Sequence, residues 1–317
     1  MTARVRVKVQ LEPNHMFRLP LTLAGLLVVS VSAGIGQQPT SGMPTTVIRA
    51  NVHLVVLHAT VTDDKGEVVS GLSEQAFRLL VDNQPHPISV FRGEDMPVAV
   101  GLVVDHSESM APMWPNVVAA ALGFLRVSNP DDQMFVVDFS NQIRLGLPSG
   151  KTFTNSASEL QAALLRYPPG GSTALYDAIG VALAHVEKAT ITKQALLIIT
   201  DGGDNSSRAR LNHVLDWARK ASVTLYCIGL YNGADSDRNP QVLKDLADAT
   251  GGKALFPSTA SDTSSVCVKL AKDIRSQYTL AFNGAQDGKY HPISLTVQDR
   301  GRGLTVRTRT GYQAGTP

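Results

Sequence analysis

Cysteine is nearly absent: Cys227 and Cys267 are the only two in 317 residues. That rules out a disulfide framework, and no C-x-x-C pair offers a thiolate metal site. Export would permit one bridge. Cys227 falls in an apolar run, however, and Cys267 in a late helical pattern, so two buried thiols are expected. Neither sign of charge is in excess. Lys and Arg number 29 against 27 Asp and Glu, a formal net charge of +2. Residues 1–33 carry Arg4, Arg6, Lys8 and Arg18 against Glu12, so that stretch is cationic and the remainder is close to neutral. Such a balance gives no footprint for a polyanion, and a nucleic-acid partner is set aside. Catalytic signatures are missing too. There is no G-x-S-x-G elbow and no H-E-x-x-H. Gly150-Lys151-Thr152 ends like a phosphate loop, but that motif needs glycine where the chain has Leu145. The eight histidines are scattered, without a sequence-local nucleophile or carboxylate partner. An enzyme is therefore not expected.

Long hydrophobic runs are also lacking. The longest, 19–31, is interrupted by Pro20, Thr22, Gly25 and Ser30. It falls short of the roughly 20 apolar residues a membrane span needs. Basic residues precede it and Val31-Ser32-Ala33 follows, a small-residue cleavage pattern. Residues 1–33 thus read as an export signal and 34–46 as a linker. The expected location is the periplasm, the cell envelope or the extracellular space. An uncleaved anchor is the alternative, and the one route by which this chain would meet a membrane. Met16 is an alternative start. A lipoprotein anchor is not expected, because no cysteine stands near the cleavage site.

What is present is a globular composition, 43% hydrophobic and 18% charged, with two kinds of periodicity. Residues 47–95 and 277–313 read as short strands separated by turn residues such as Asp63-Asp64-Lys65-Gly66 and Asp82-Asn83. Between them strands and helices alternate. Strands are predicted near 98–104, 133–139, 143–147, 194–200, 223–229 and 253–256. Helices are predicted near 115–127, 158–166, 174–188, 208–221, 240–249 and 263–275. Alternating units predict an α/β fold with a doubly wound, mostly parallel sheet. One member of the 133–139 and 143–147 pair is expected as an antiparallel edge. Each flanking β segment is too small to close a core alone. The two are expected to pair as one β-sandwich into which the α/β domain is inserted.

Three segments of the central region end strands or open helices with oxygen-bearing side chains. Asp105-His106-Ser107-Glu108-Ser109 follows the apolar run 98–104. Gly170-Gly171-Ser172-Thr173 precedes a helical pattern, and Asp201-Gly202-Gly203 follows the apolar run 195–200. In open α/β sheets ligands sit beyond the C-terminal ends of the strands. An all-oxygen set there suits a hard divalent cation.

This set, D-x-S-x-S followed by G-G-S-T and then T-D-G, resembles the von Willebrand factor type A (VWA) domain over residues 97–275. The resemblance implies a Rossmann-like fold and a metal-ion-dependent adhesion site at Asp105, Ser107, Ser109, Thr173 and Asp201. It further implies that the serines, and often the threonine, touch the metal, while the aspartates act mostly through water. The implied ion is Mg²⁺, with Mn²⁺ or Ca²⁺ as alternatives. The implied partner is a protein offering an Asp or Glu carboxylate. Gly71–Phe77 before the domain, and Tyr290-His291-Pro292-Ile293 with Gly311-Tyr312 after it, are similar to a bacterial family of exported proteins with a type A domain between β segments.

The expected function is thus an exported, metal-dependent adhesion or scaffold module. A structural envelope protein with a fold-stabilising metal is the alternative. A metal-dependent hydrolase ranks below both, because catalysis by a metal-bound water needs a base that the sequence does not identify. His106 and Glu108 are expected as exposed loop residues rather than ligands. Asn205, Ser206 and Ser207 are expected to cap the next helix. Asp131 and Asp132 read as a turn, and Asp177 as a helix-dipole or hydrogen-bonding residue.

Overall fold

A computed structural model describes residues 53–93, 96–231, 238–299 and 301–316. The leader and linker expected over 1–46 lie outside the described residues. Strand β1 is Leu54–Asp63, followed by β2 (Phe77–Val81), β3 (Gln84–His86) and β4 (Val90–Arg92). A two-residue turn joins β2 to β3. Its residues Asp82 and Asn83 have φ of 51° and 62°, a left-handed backbone those side chains tolerate.

The central region follows. It comprises β5 (Ala99–Asp105), α1 (Trp114–Leu125), β6 (Gln133–Phe139), β7 (Ile143–Leu145), α2 (Ala157–Leu164) and α3 (Leu175–Val186). It continues with β8 (Gln194–Thr200), α4 (Leu211–Lys220), β9 (Val223–Gly229), α5 (Pro240–Thr250), β10 (Ala254–Leu255) and α6 (Ala260–Arg275). The sheet order is β10-β9-β8-β5-β6-β7, parallel except for β7, which pairs antiparallel with β6 at the edge. Every residue of β5 and β9 is buried, because helices cover both faces. The α/β class and the antiparallel edge are therefore as the sequence implied.

The chain then returns to β11 (Tyr278–Asn283), β12 (Tyr290–Val297), β13 (Leu304–Arg307) and β14 (Gly311–Gln313). Two antiparallel four-stranded sheets result, ordered β13-β1-β11-β4 and β14-β12-β2-β3. Each mixes strands from before and after the α/β region. Leu57, Tyr278 and Phe282 of one sheet share a core with Leu79, Leu295 and Tyr312 of the other. The central region leaves from β4 and returns at β11, and those two strands are hydrogen-bonded neighbours.

The two parts meet at the end of the parallel sheet opposite its C-terminal edge. Arg307 Nη2 donates to Asp273 Oδ2 at 2.7 Å and its Nε to Gly251 O at 3.0 Å. Gln277 Nε2 donates to Tyr226 Oη at 3.0 Å. Beside this seam, within the β sheets, Thr308 Oγ1 donates to His58 O at 2.8 Å. Gly251 ends α5 with φ of 75°, and a Cβ there would stand 2.3 Å from the Thr308 carbonyl carbon. Only glycine permits both the turn and the approach. Burial, with Lys193 and Arg309 nearby, pushes the His58 imidazole down to about 3, so it is neutral at this junction.

Candidate metal centre

Asp105 ends β5, and Asp201 follows the last residue of β8, the neighbouring parallel strand. Parallel register sets their carboxylates side by side at the sheet's C-terminal edge. Thr200 Oγ1 donates to Asp105 Oδ2 at 2.6 Å, and the Ser107 amide donates to Asp105 Oδ1 at 2.9 Å. Ser107 Oγ lies 3.1 Å from Ser109 Oγ, and Ser109 Oγ donates to Asp201 Oδ2 at 2.6 Å. The Gly203 amide donates to Asp201 Oδ1 at 2.8 Å. Four of the five expected residues thus form one hydrogen-bonded chain.

Thr173 comes from the third segment. The Gly170 amide donates to His106 O at 2.6 Å and the Glu108 amide to Gly171 O at 3.0 Å, which laces this loop to the serine loop. The Thr173 side chain is buried but joins no side-chain hydrogen bond among the described residues. Its backbone amide donates to Asn205 Oδ1 at 2.8 Å, and its carbonyl accepts from the Asn205 and Ser206 amides. Gly202 makes the bend behind Asp201. Its φ is 83°, and a Cβ would fall 2.5 Å from Asn239 O.

Burial dominates the electrostatics. Asp105 is fully buried, and desolvation pushes its carboxyl up to about 7. Hydrogen bonds from Ser107 and Thr200 oppose that rise, and the Asp201 charge adds to it. Two buried carboxylates so close call for a cation. The donors gathered around them are hydroxyls, with no sulfur and no histidine nitrogen in the chain of bonds. Among the described residues no group of three His, Cys, Asp or Glu could hold a metal. The set therefore fits a hard divalent ion, not zinc of the thiolate or imidazole kind.

Two sequence expectations are corrected. His106 is buried, not exposed. Its ring packs on Trp114 with centroids 4.1 Å apart, its Nε2 lies 3.4 Å from Leu164 O, and its Nδ1 lies 3.6 Å from Asp138 Oδ1. An x position of the motif here points into the seam between α1 and α2, which local sequence does not reveal. Asn205 and Ser207 do not cap the next helix either. Helix α4 starts at Leu211 with no side-chain cap. Asp204 Oδ2 instead accepts from the Tyr176 amide at 3.0 Å, and Ser207 Oγ from the Asp177 amide at 3.1 Å, both in the first turn of α3. Asp177 reciprocates by accepting from the Arg208 and Ala209 amides. The orphan donors of α3 have no local cap, so a neighbouring loop supplies it.

Asp132 keeps its turn role, accepting from the Val98 and Asn129 amides. Cys227 and Cys267 are buried free thiols. Thr200 and Asp138 went unnoticed in the sequence. A threonine directly before the strand-end aspartate was an available signal for the first; nothing local marks the second.

A parallel sheet covered by helices, with oxygen-rich loops at one edge, defines a class: an open α/β domain with its candidate site beyond the C-terminal ends of the strands. The chain belongs to the von Willebrand factor type A domain family, whose model matches residues 100–270. Domains of this family are typically protein-interaction modules, commonly metal-dependent. A von Willebrand factor type A protein from Catenulispora acidiphila superposes with a TM-score of 0.52 at 14% identity, covering 84% of this chain and 76% of that one. Proximal thread matrix protein 1 of the mussel byssus, solved with a zinc-occupied metal-ion-dependent adhesion site, gives a TM-score of 0.49 at 18% identity, covering 61% and 49%. An uncharacterized protein of Borreliella burgdorferi is 27% identical over 113 residues, 30% of this chain and 33% of that protein. The chain thus spans about a third of the length of this curated relative.

Proposed function

We propose that the protein is an exported adhesion or scaffold module that binds a partner protein through a divalent cation. Asp105, Ser107, Ser109, Thr173 and Asp201 would hold the ion, Mg²⁺ in the first instance. When bound, the ion would supply an open coordination position for a carboxylate from the partner's Asp or Glu. The observation that carries this reading is the bonded chain of Asp105, Ser107, Ser109 and Asp201 at the sheet's C-terminal edge. Hydroxyl donors leave the ion's charge largely uncancelled, which favours an incoming anion. The export part rests on the leader pattern of 1–33. No described helix is long and apolar enough to cross a membrane.

The test is metal-dependent capture from the native organism. The full chain should retain a partner in Mg²⁺ and release it in EDTA, and Asp105→Ala should retain none. Capture that is indifferent to both EDTA and Asp105→Ala would defeat the metal-bridged mechanism. The burial of Asp105 beside Asp201 supports a second reading, in which the ion mainly stabilises the fold. A large fall in melting temperature on EDTA, with no metal-dependent partner, would favour it.

A further inference from the structure

One side of the candidate metal centre is cationic. Val104, Asp138 and Arg144 stand opposite one another on β5, β6 and β7. Adjacent strands are about 4.8 Å apart, so the Arg144 backbone lies about 10 Å from the strand that carries Asp105. The Arg144 guanidinium sits over the Tyr167 ring, 4.6 Å from its centroid, and donates to Gln142 Oε1. Stacking of this kind holds the planar fork in place with donors to spare. Arg166 is exposed, and Leu165 beside it is 52% exposed. The loop running on from these residues reaches the serine loop through the bond from Gly170 to His106.

Neither arginine pairs with a carboxylate among the described residues. Asp138 lies beneath them, buried, with both carboxylate oxygens lacking a hydrogen bond, so it does not occupy their donors. Glu108, on the serine loop, is exposed and repels a second anion on its own side.

We propose that Arg144 and Arg166, with Tyr167 and Leu165, form a specificity rim that receives a second acidic side chain of the partner. This rests on the metal-bridged reading and narrows it. The partner presents an extended segment with two acidic residues. One reaches the ion and the other the arginines. At about 3.3 Å per extended residue, a span of about 10 Å sets them roughly three to four positions apart. An apolar side chain between or beside them covers Leu165. Rim charges of this sort set orientation and association rate, and their effect is screened by salt.

The experiment pans the full chain in Mg²⁺ against a phage-displayed library of random linear dodecapeptides and elutes with EDTA. The expected clones carry two acidic residues three or four positions apart. Their binding should fall about tenfold in Arg166→Glu and in Arg144→Gln. Arg126→Glu, exposed on another part of the surface, should leave it unchanged, and Mg²⁺ titration of Arg166→Glu should match wild type. Because Arg166 is exposed, its variant keeps the test open even if Arg144→Gln folds poorly. EDTA-eluted clones with a single acidic residue, indifferent to Arg166→Glu, would overturn the rim while leaving the metal bridge intact. Absence of any EDTA-eluted clone would overturn the metal bridge and the rim with it.

Discussion

The α/β region and the paired β sheets bury their residues by different rules. In β5 and β9 every position is buried, because helices cover both faces of the sheet. In β12 buried positions alternate with more exposed ones, because one face meets the other sheet and one meets water. The difference extends to polar groups. The α/β region gathers buried hydroxyls and carboxylates at the C-terminal edge of its sheet, where they bond to one another within that region. The junction with the β sheets buries polar groups as well, but joins them across the two parts, as Arg307 with Asp273 and Gln277 with Tyr226. One end holds the candidate site and the other ties the two parts together.

The largest expected effect falls on the β sheets. Phe282 is fully buried and packs against Tyr312 and His86. Phe282→Ala should cost about 4 kcal/mol in denaturant unfolding. If the two parts unfold independently, Mg²⁺ binding will survive that loss; if they unfold together, it will fall in step. Arg307→Ala comes next. It strands the buried Asp273 carboxylate and should cost about 3 kcal/mol. It should also split a single thermal transition into two by calorimetry. A single, unshifted transition would show that the junction contributes nothing to cohesion.

Asp105→Ala probes the other end. Mg²⁺ affinity by titration calorimetry should drop on the order of a hundredfold, with far-ultraviolet circular dichroism unchanged.

The smallest effects concern pH, and the two ends should respond with opposite sign. Asp105 has a folded value of about 7, above its ordinary 3.8. Its contribution to metal-free stability is complete below 3.8 and is lost as pH rises through 7. His58 has a folded value of about 3, below its ordinary 6.5. Its contribution is complete above 6.5 and is lost as pH falls toward 3. The two windows overlap, so the arms should largely cancel in urea midpoints of metal-free wild type between pH 4 and pH 6.5, and each should be exposed by removing the other. His58→Leu and Asp105→Asn should each remove one arm, and Mg²⁺ should flatten the Asp105 arm.

Much of this architecture is legible in the residue order, for a definite reason. Runs such as 98–104 and 195–199 are apolar throughout, and only a strand covered on both faces asks for that. The helix of Asn116 to Leu125 shows its buried face through Val117, Ala120, Ala121, Phe124 and Leu125. Motif spacing likewise drew attention to Asp105, Ser107, Ser109 and Asp201, and β5 and β8 bring these four together. Ser207 has the capping chemistry its sequence position implies, but it serves α3 rather than the next helix. Capping chemistry is local in type, whereas the helix that lacks a cap is decided by what lies beside the loop.

The sequence by itself determined the class of fold, the edge at which the oxygens collect and the hard-ion character of the donors. Those follow from side-chain period and chemistry, which act over a few residues. Only the tertiary structure decided that His106 turns inward against Trp114, that Asp138 lies buried beneath Arg144 and Arg166, and that Arg307 reaches Asp273. Each depends on which distant segments meet, and that is set by packing of the whole sheet rather than by any local preference.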